Sequence, residues 1–334
     1  MTFAVGGHGE AREATLLDAA RAGDEQAFAR LTDPHRRAIH VHCYRMLGSF
    51  HDADDALQET LLRAWRGLDR FEPRAPLRAW LYRIATNACL RLLERRSREP
   101  APTVAEVCSL LQPYPDRLLE ELATPEPGPE AQVEEREAVG LAFVAAMQLL
   151  PSRQRAVLVL RDVLGWSAAE TADLLGDSVA SVNSALQRAR SRLDTERRER
   201  TLAVEHFGSR DEAGVMQRFL AAWEQVDIPA LMELLADDAV LTMPPEPMRV
   251  VGPDAIGSFF ATVPMDGRLD RIRLLPARAN GQPALAAYVD AGNGTYQAYG
   301  VMVFSLEGEQ IVGIVGFADY GPLVPAFDLP HELR

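Results

Sequence analysis

Residues 166–193, WSAAETADLLGDSVASVNSALQRARSRL, constrain the fold more than any other part of this chain. Two short amphipathic stretches meet there at Leu175-Gly176-Asp177. Ser167 and Glu170 stand at capping-box spacing, which starts a helix by letting each side chain satisfy the other's backbone N–H. Gly176 lacks a Cβ and so permits the tight turn. In the second stretch Val179, Val182, Leu186, Ala189 and Leu193 recur at helical spacing, which predicts one buried stripe. The opposite face carries Ala180, Ser181, Ser184, Gln187, Arg188, Ser191 and Arg192. Small polar side chains beside arginine let a helix enter a major groove and still reach phosphates. The segment therefore predicts a helix-turn-helix with duplex DNA as its partner. A purely structural helix pair with a solvated arginine face has a similar pattern, so the remaining sequence has to decide between them.

Bulk charge at first argues against nucleic acid, because the 334 residues carry a net charge of −13. The distribution resolves the conflict. Ten arginines lie between Leu61 and Arg98 against three acids, whereas Glu99 to Glu137 holds ten acids against two arginines. Screening over about 8 Å means that DNA responds to the local patch rather than to the total. The acidic parts still weaken unaided binding, which suits a protein that meets DNA inside a larger assembly. No lysine occurs. Cys43, Cys89 and Cys108 are odd in number and widely spaced, against a disulfide framework or a zinc site. A reducing cytoplasm fits, no apolar run is long enough to span a bilayer, and Met1-Thr2-Phe3 opens no secretory signal. Neither a metal nor a cofactor is expected.

Residues 14–98 read as helices: one over Ala11–Arg21, then Asp24–Leu47 in two pieces broken near Pro34. Asp52 is the expected cap of a third helix with Leu57, Leu61, Ala64, Trp65 and Leu68 as its apolar stripe. After the Pro-bracketed loop 71–76, a fourth buries Leu77, Trp80, Leu81, Ile84, Ala85, Ala88 and Leu92. Arg83, Thr86 and Asn87 lie away from that stripe. Residues 100–129, rich in Pro and Glu, read as a linker with a short helix near Asp116–Leu122. Helices resume at Val133 and run to about Arg200. The last third reads as helix-helix-strand-helix followed by four strands, with Gly281, Gly292, Gly294 and Gly308 as punctuation. The expected architecture is multidomain: two all-α units, over 12–98 and 133–200, separated by an acidic linker over 99–132. An α+β cone over 207–334 follows.

The succession YRMLGSFHDADDALQETLLRAWRGLDRF, LRAWLYRIATNACLRLLERR and LPSRQRAVLVLRDVLGWSAAETADLLGDSVASVNSALQRARSRL resembles the bacterial extracytoplasmic-function sigma factors in order and spacing. The tail segments FLAAWEQVDIPALMELLADDAVLTMPP and VGPDAIGSFF, with the four closing strands, resemble the SnoaL-like branch of the NTF2-like fold. The combination is similar to the SigG-like and SigJ-like subset of sigma factors.

The resemblance implies a transcription initiation factor whose partners are core RNA polymerase, through the β′ clamp helices and the β flap, and promoter DNA. Asp54, Asp55, Gln58, Glu59 and Arg63 match the polymerase-binding face. Opening of the −10 element falls to the loop 71–76 and the helix after it, with Arg74, Arg78, Arg83, Asn87 and Arg91 as candidates for base and phosphate contacts. Extruding a base costs a few kcal/mol, which a cationic rim and a shaped pocket must offset. Pro73 and Pro76 make this loop stiffer than the polar type common in the family. Trp80 lies on the apolar stripe and reads as core. Reading of the −35 duplex falls to Ser178, Ser181, Ser184 and Arg188, with Arg192 on phosphate. The acidic linker resembles the family segment that runs through the polymerase cleft.

For the tail, an unknown small-molecule ligand is one expectation, with Trp223, Tyr288, Tyr296 and Tyr299 as lining. Catalysis would need a buried carboxyl or histidine poised at a cavity, with Asp266 and Asp290 as the acids in range. A regulatory contact in cis is the other expectation, in which the tail and its Pro-stiffened residues 321–330 set the spacing of the DNA-reading domains. The competing class is a SnoaL-like enzyme or ligand sensor fused to a helix-turn-helix repressor. A repressor binds duplex sites by itself, whereas a sigma factor needs polymerase.

Overall fold

The computed structural model describes residues 7–72, 76–96, 111–120, 140–198, 212–244, 246 and 248–334. They group into two compact units, Met1–Arg98 with Ser152–Leu186, and Glu99–Pro151 with Gln187–Arg334.

The first unit is helical. Helices α1 (Gly7–Arg21), α2 (Glu25–Leu47), α3 (Phe50–Gly67) and α4 (Leu77–Arg96) bury a core that includes Ile39, Tyr44, Met46, Leu81 and Ala85. The Asp24 carboxylate caps α2 by accepting from the Gln26 and Ala27 amides at 2.9 and 3.0 Å. Contrary to expectation, α2 runs unbroken through Pro34. Proline removes one intrahelical bond, but Pro34 and Arg30 are exposed, so water can satisfy the freed carbonyl. Packing of the buried half from Ile39 to Leu47 then carries the helix. The cap of α3 is Ser49, not Asp52: its Oγ accepts from the Asp52 amide at 3.1 Å. Asp52 instead receives two bonds from Arg96, at 2.9 and 2.7 Å, and ties α3 to the end of α4.

Thr86 also departs from its expected position. Expected to face away from the apolar stripe, it is fully buried, 2.9 Å from His42 Nε2, and donates back to the Tyr82 carbonyl at 2.8 Å. Burial, with Arg45 adding to it, pushes the His42 pKa down to about 3, so the ring is neutral in the fold. Trp80 and Ile84 are only half-buried.

The remainder of the first unit begins with the helix Ser152–Leu158, which passes into a π-type turn over Val159–Val163. The helix-turn-helix follows, Ala168–Leu175 and Val179–Arg198, and its second helix leaves the first unit after Leu186. The capping box forms as predicted, with the Glu170 amide 3.2 Å from Ser167 Oγ and the Ser167 amide 2.8 Å from Glu170 Oε2. Gly176 adopts φ 66° and ends the first of the two helices. Arg155 is buried; its Nη1 donates to the Met46 carbonyl at 2.5 Å. Burial pushes this guanidinium down to about 9.

In the second unit the tail forms a mixed sheet. Strands β1 (Leu235–Thr242), β2 (Arg249–Val251), β3 (Ile272–Ala279), β4 (Gln282–Gly292), β5 (Thr295–Glu307) and β6 (Gln310–Phe317) lie in the order β2-β1-β6-β5-β4-β3. A short β7 (Glu332–Leu333) pairs with the start of β5. Neither β2 nor β7 was expected from the sequence. Helices Glu212–Glu224, Ile228–Glu233 and Pro253–Thr262 cover one sheet face through a core that includes Phe219, Trp223, Phe260 and Phe304. Residues 321–327 form a 3-10 helix, and Leu323 and Val324 are buried.

The linker is docked rather than free over its described part. Tyr114 and Asn280 exchange two bonds at 2.8 Å, the Tyr114 amide to Asn280 Oδ1 and the Asn280 amide to the Tyr114 carbonyl. Pro115 bridges Ala279 in antiparallel fashion. Asn280 and Gly281 both have positive φ, 58° and 76°, as a two-residue hairpin turn between β3 and β4 requires. Helix α5 (Arg117–Glu120) follows within the expected short-helix region, and Arg117 Nε donates to the Ala326 carbonyl at 2.6 Å. Helix α6 (Leu141–Gln148) also belongs to this unit, with the Leu141 amide 3.5 Å from Gln282 Oε1.

Candidate nucleic-acid and polymerase interfaces

Helix α3 presents Asp54, Asp55, Gln58 and Arg63 to solvent, with Glu59 half-buried. Gln58 Nε2 donates to Asp54 Oδ2 at 3.1 Å, and Arg63 pairs with Glu59 one turn back. These i, i+4 contacts pre-order the face while leaving Asp55 exposed. The face borders an open groove of about 630 Å³ lined by Asp55, Glu59, Arg63, Arg91, Glu94 and Arg95. Arg91, expected with the −10 candidates, therefore lines this groove. Partial burial, then Arg63 and Arg95 as like charges, lower its pKa. Leu62, 52% exposed and seven residues beyond Asp55 on the same helix, was missed. An apolar side chain two turns along an acidic face is legible only once that face is known to be solvent-facing.

Arg74 lies outside the described residues. Arg78 and Arg83 are exposed on α4 and Asn87 is half-buried. The Arg78 guanidinium lies 5.4 Å from the Tyr82 ring centroid. Arg83 is engaged by Asp173 of the helix-turn-helix, through its carboxylate at 3.0 Å and its backbone carbonyl. Trp80 leans on Phe71 with centroids 4.8 Å apart, consistent with packing rather than a free stacking platform.

In the helix Val179–Arg198, Ser178, Ser181, Ser184, Arg188 and Arg192 are all exposed. Ser178 Oγ accepts from the Ser181 amide at 3.1 Å, which leaves its hydroxyl proton for a phosphate. Val182, Leu186, Ala189 and Leu193 form the buried stripe, but Val179 does not join it and is 45% exposed. As the first helical residue it lies ahead of the packed turns. Asn183 and Gln187 are also exposed. Asn183 was absent from the predicted polar face because it sits at its edge on the helical wheel.

The four tail residues expected to line a pocket do not share one sheet face. Trp223 is buried in the helix-covered core, and its Nε1 donates to the Ile272 carbonyl at 3.1 Å. Leu285 and Ala287 share that core, so Tyr288 alternates to the other sheet face, where its hydroxyl donates to the Pro330 carbonyl at 2.8 Å. Tyr296 is half-buried beneath Arg273, 4.0 Å from its ring centroid, and Tyr299 is 39% exposed. Asp266 is exposed. The Gly292 amide and then Arg271 hold the Asp290 carboxyl below its usual range, the opposite of what a general acid needs.

Known protein families match these parts in the same order. Sigma-70 region 2 matches residues 31–99, Sigma-70 region 4 matches 140–193, and the SnoaL-like domain matches 216–314. The ECF RNA polymerase sigma factor SigG of Mycobacterium tuberculosis (strain H37Rv) is 41% identical over 333 residues, covering 94% of this chain and 86% of that protein. SigM of the same strain, also an ECF RNA polymerase sigma factor, is 38% identical over 188 residues, 56% of this chain and 86% of its own. Among solved structures, the M. tuberculosis extracytoplasmic function sigma factor SigJ superposes with a TM-score of 0.57 at 22% identity, covering 86% of this chain and 95% of that one, a likeness of fold. A fused repressor-enzyme is not favoured by a match of this extent. Among the described residues no helix is long and apolar enough to cross a membrane. With helical sigma domains ahead of an α+β tail and a 41% identical relative matched over nearly its whole length, the chain belongs to the ECF RNA polymerase sigma factors that carry a C-terminal SnoaL-like domain.

Proposed function

We propose that this protein is a dissociable specificity subunit of RNA polymerase that selects and opens promoters in the cytoplasm and is not itself an enzyme. Asp54, Asp55, Gln58, Glu59 and Arg63 dock on the β′ clamp helices, and region four meets the β flap. Arg78, Arg83 and Asn87, with Arg74, serve the −10 element, and Ser178, Ser181, Ser184, Arg188 and Arg192 serve the −35 duplex. The observation that carries this reading is the ordered match of regions two and four within a 41% identical relative covering 94% of the chain. The exposed and pre-ordered acidic face of α3 supports it independently.

The tail regulates in cis by holding the linker. A segment bonded to the β3–β4 turn through Tyr114 and Asp116 cannot also lie along a polymerase channel, so the clip opens as holoenzyme forms. Titration of labelled protein with core polymerase tests the polymerase face. Asp55→Arg is expected to weaken binding at least about ten-fold, as removal of a central interface contact does. Equal affinity of that variant would remove α3 from the interface, and no binding by the unaltered chain would end the reading as a whole.

A further inference from the structure

The face of the recognition helix that the proposed −35 contact would use has an unusual composition. From Ser178 to Gln187 the exposed residues are Ser178, Val179, Ala180, Ser181, Asn183, Ser184 and Gln187, and no lysine or arginine occurs before Arg188. Guanine is read most specifically by a bidentate arginine or lysine on O6 and N7, and these first helical turns have none. Serine hydroxyls donate or accept and so discriminate weakly. Ser178 is further committed to the Ser181 amide as a cap. Asn183 and Gln187 differ from all of these. A side-chain amide presents one donor and one acceptor side by side, which matches N7 and N6 of adenine.

We infer that this helix reads adenine rather than guanine, through the amides of Asn183 and Gln187. The two residues are one turn apart on a continuous helix. Four residues of helix advance about 6 Å, and base pairs are spaced about 3.4 Å apart. The adenines they read therefore fall within two base-pair steps of each other. In this arrangement Arg188 joins Arg192 on the flanking phosphates rather than contacting a base itself.

This inference rests on the −35 reading, and its test separates the two. Holoenzyme assembled from core polymerase and the full chain selects from duplexes with a randomised upstream window. The selected promoter is then resynthesised with 7-deazaadenine, which lacks N7, at each upstream adenine in turn. Two adenines within two steps are expected to lose about 5- to 100-fold in binding on N7 removal. Asn183→Ala should abolish sensitivity at one of them and Gln187→Ala at the other. Asn183→Asp, an acceptor only, should shift the preferred base toward cytosine on the contacted strand. Guanine selected at those positions, or an unchanged preference in all three variants while upstream selection persists, overturns the inference and leaves the −35 reading standing. If the unaltered holoenzyme selects no upstream sequence, the −35 reading fails and the inference with it.

Discussion

Asp116, from the linker, and Arg278, on β3, form an ion pair with Oδ2 and Nε 3.2 Å apart, while Asp116 Oδ1 accepts from the Gly281 amide at 2.7 Å. Arg278 also pairs with Glu212, and the Asp116 amide donates to the Arg278 carbonyl at 3.2 Å. Burial works against charge on Arg278, but Glu212 and Asp116 outweigh it and hold its pKa above the usual value. One carboxylate thus fastens a loop that reads as an acidic tether to the turn of a hairpin far away in sequence.

Asp116→Ala leaves the Gly281 amide and Arg278 without that acceptor. Charge-assisted bonds of this kind contribute about 1.5–3 kcal/mol, so the docked state should open roughly ten- to a hundred-fold more often. Limited trypsin digestion at Arg117 measures the opening. Faster cleavage there in the variant is expected; an unchanged rate would mean that Tyr114 and Asn280 suffice for docking.

Arg83 and Asp173 are 45% and 83% exposed at their side chains, and exposed pairs contribute less than about 1 kcal/mol. Asp173→Ala should therefore leave the thermal midpoint nearly unchanged while freeing a cation proposed to serve the −10 element. Stopped-flow measurement of promoter opening by holoenzyme should show the same or a faster rate. Arg83→Ala should slow it. A slower rate with Asp173→Ala would assign Asp173 a direct part in opening.

How much of this was legible beforehand depends on the range over which each signal acts. The Ser167/Glu170 capping box and the turn at Gly176 are local, and both form as the spacing predicts. Four tail strands were legible because each is long and punctuated by glycine. The cap of α3 was misplaced because Ser49 and Asp52 both suit the role, and only the bond from Arg96 shows that Asp52 is otherwise engaged. Thr86 and the clip at Tyr114–Asp116 depend on partners more than 40 residues away in sequence, which no periodicity records. At the site, helical spacing was enough to place Ser181, Ser184, Arg188 and Arg192 on an exposed face. Which other candidates share a surface was not legible: Arg91 lines the α3 groove, and Trp223 and Tyr288 take opposite sheet faces.

The buried histidines give the first unit an acid-sensitive core. Burial lowers the His42 pKa to about 3 and the His40 pKa to about 4, the latter partly countered by Asp54. Above the ordinary value of 6.5 both rings are neutral whether folded or unfolded. As pH falls below 6.5 the unfolded chain takes up protons that the folded chain refuses, so stability drops down to the folded values. Unfolding free energies from urea titrations at pH 7 and pH 5 should therefore differ, by up to about 1.4 kcal/mol per ring per pH unit. His42→Gln, which keeps a partner for Thr86, should show a smaller loss. An identical loss would place the acid sensitivity elsewhere.

Arg155 is buried with its Nη1 on the Met46 carbonyl. Arg155→Ala should destabilise the first unit by about 2–4 kcal/mol, through the cavity and the stranded carbonyl together. Arg155→Met should recover part of that loss, because its volume is filled and no buried charge remains. Denaturant unfolding of the full chain separates the two variants, and equal losses would show that the hydrogen bond rather than the packing is what matters.

The most direct test is run-off transcription from a pool of genomic fragments, with core polymerase alone, this protein alone, and both together. Discrete start sites are expected only with both present, alongside weak and unselective duplex binding by the free protein. Tight sequence-specific binding by the protein alone, with no start sites added to those of core polymerase, would contradict the account.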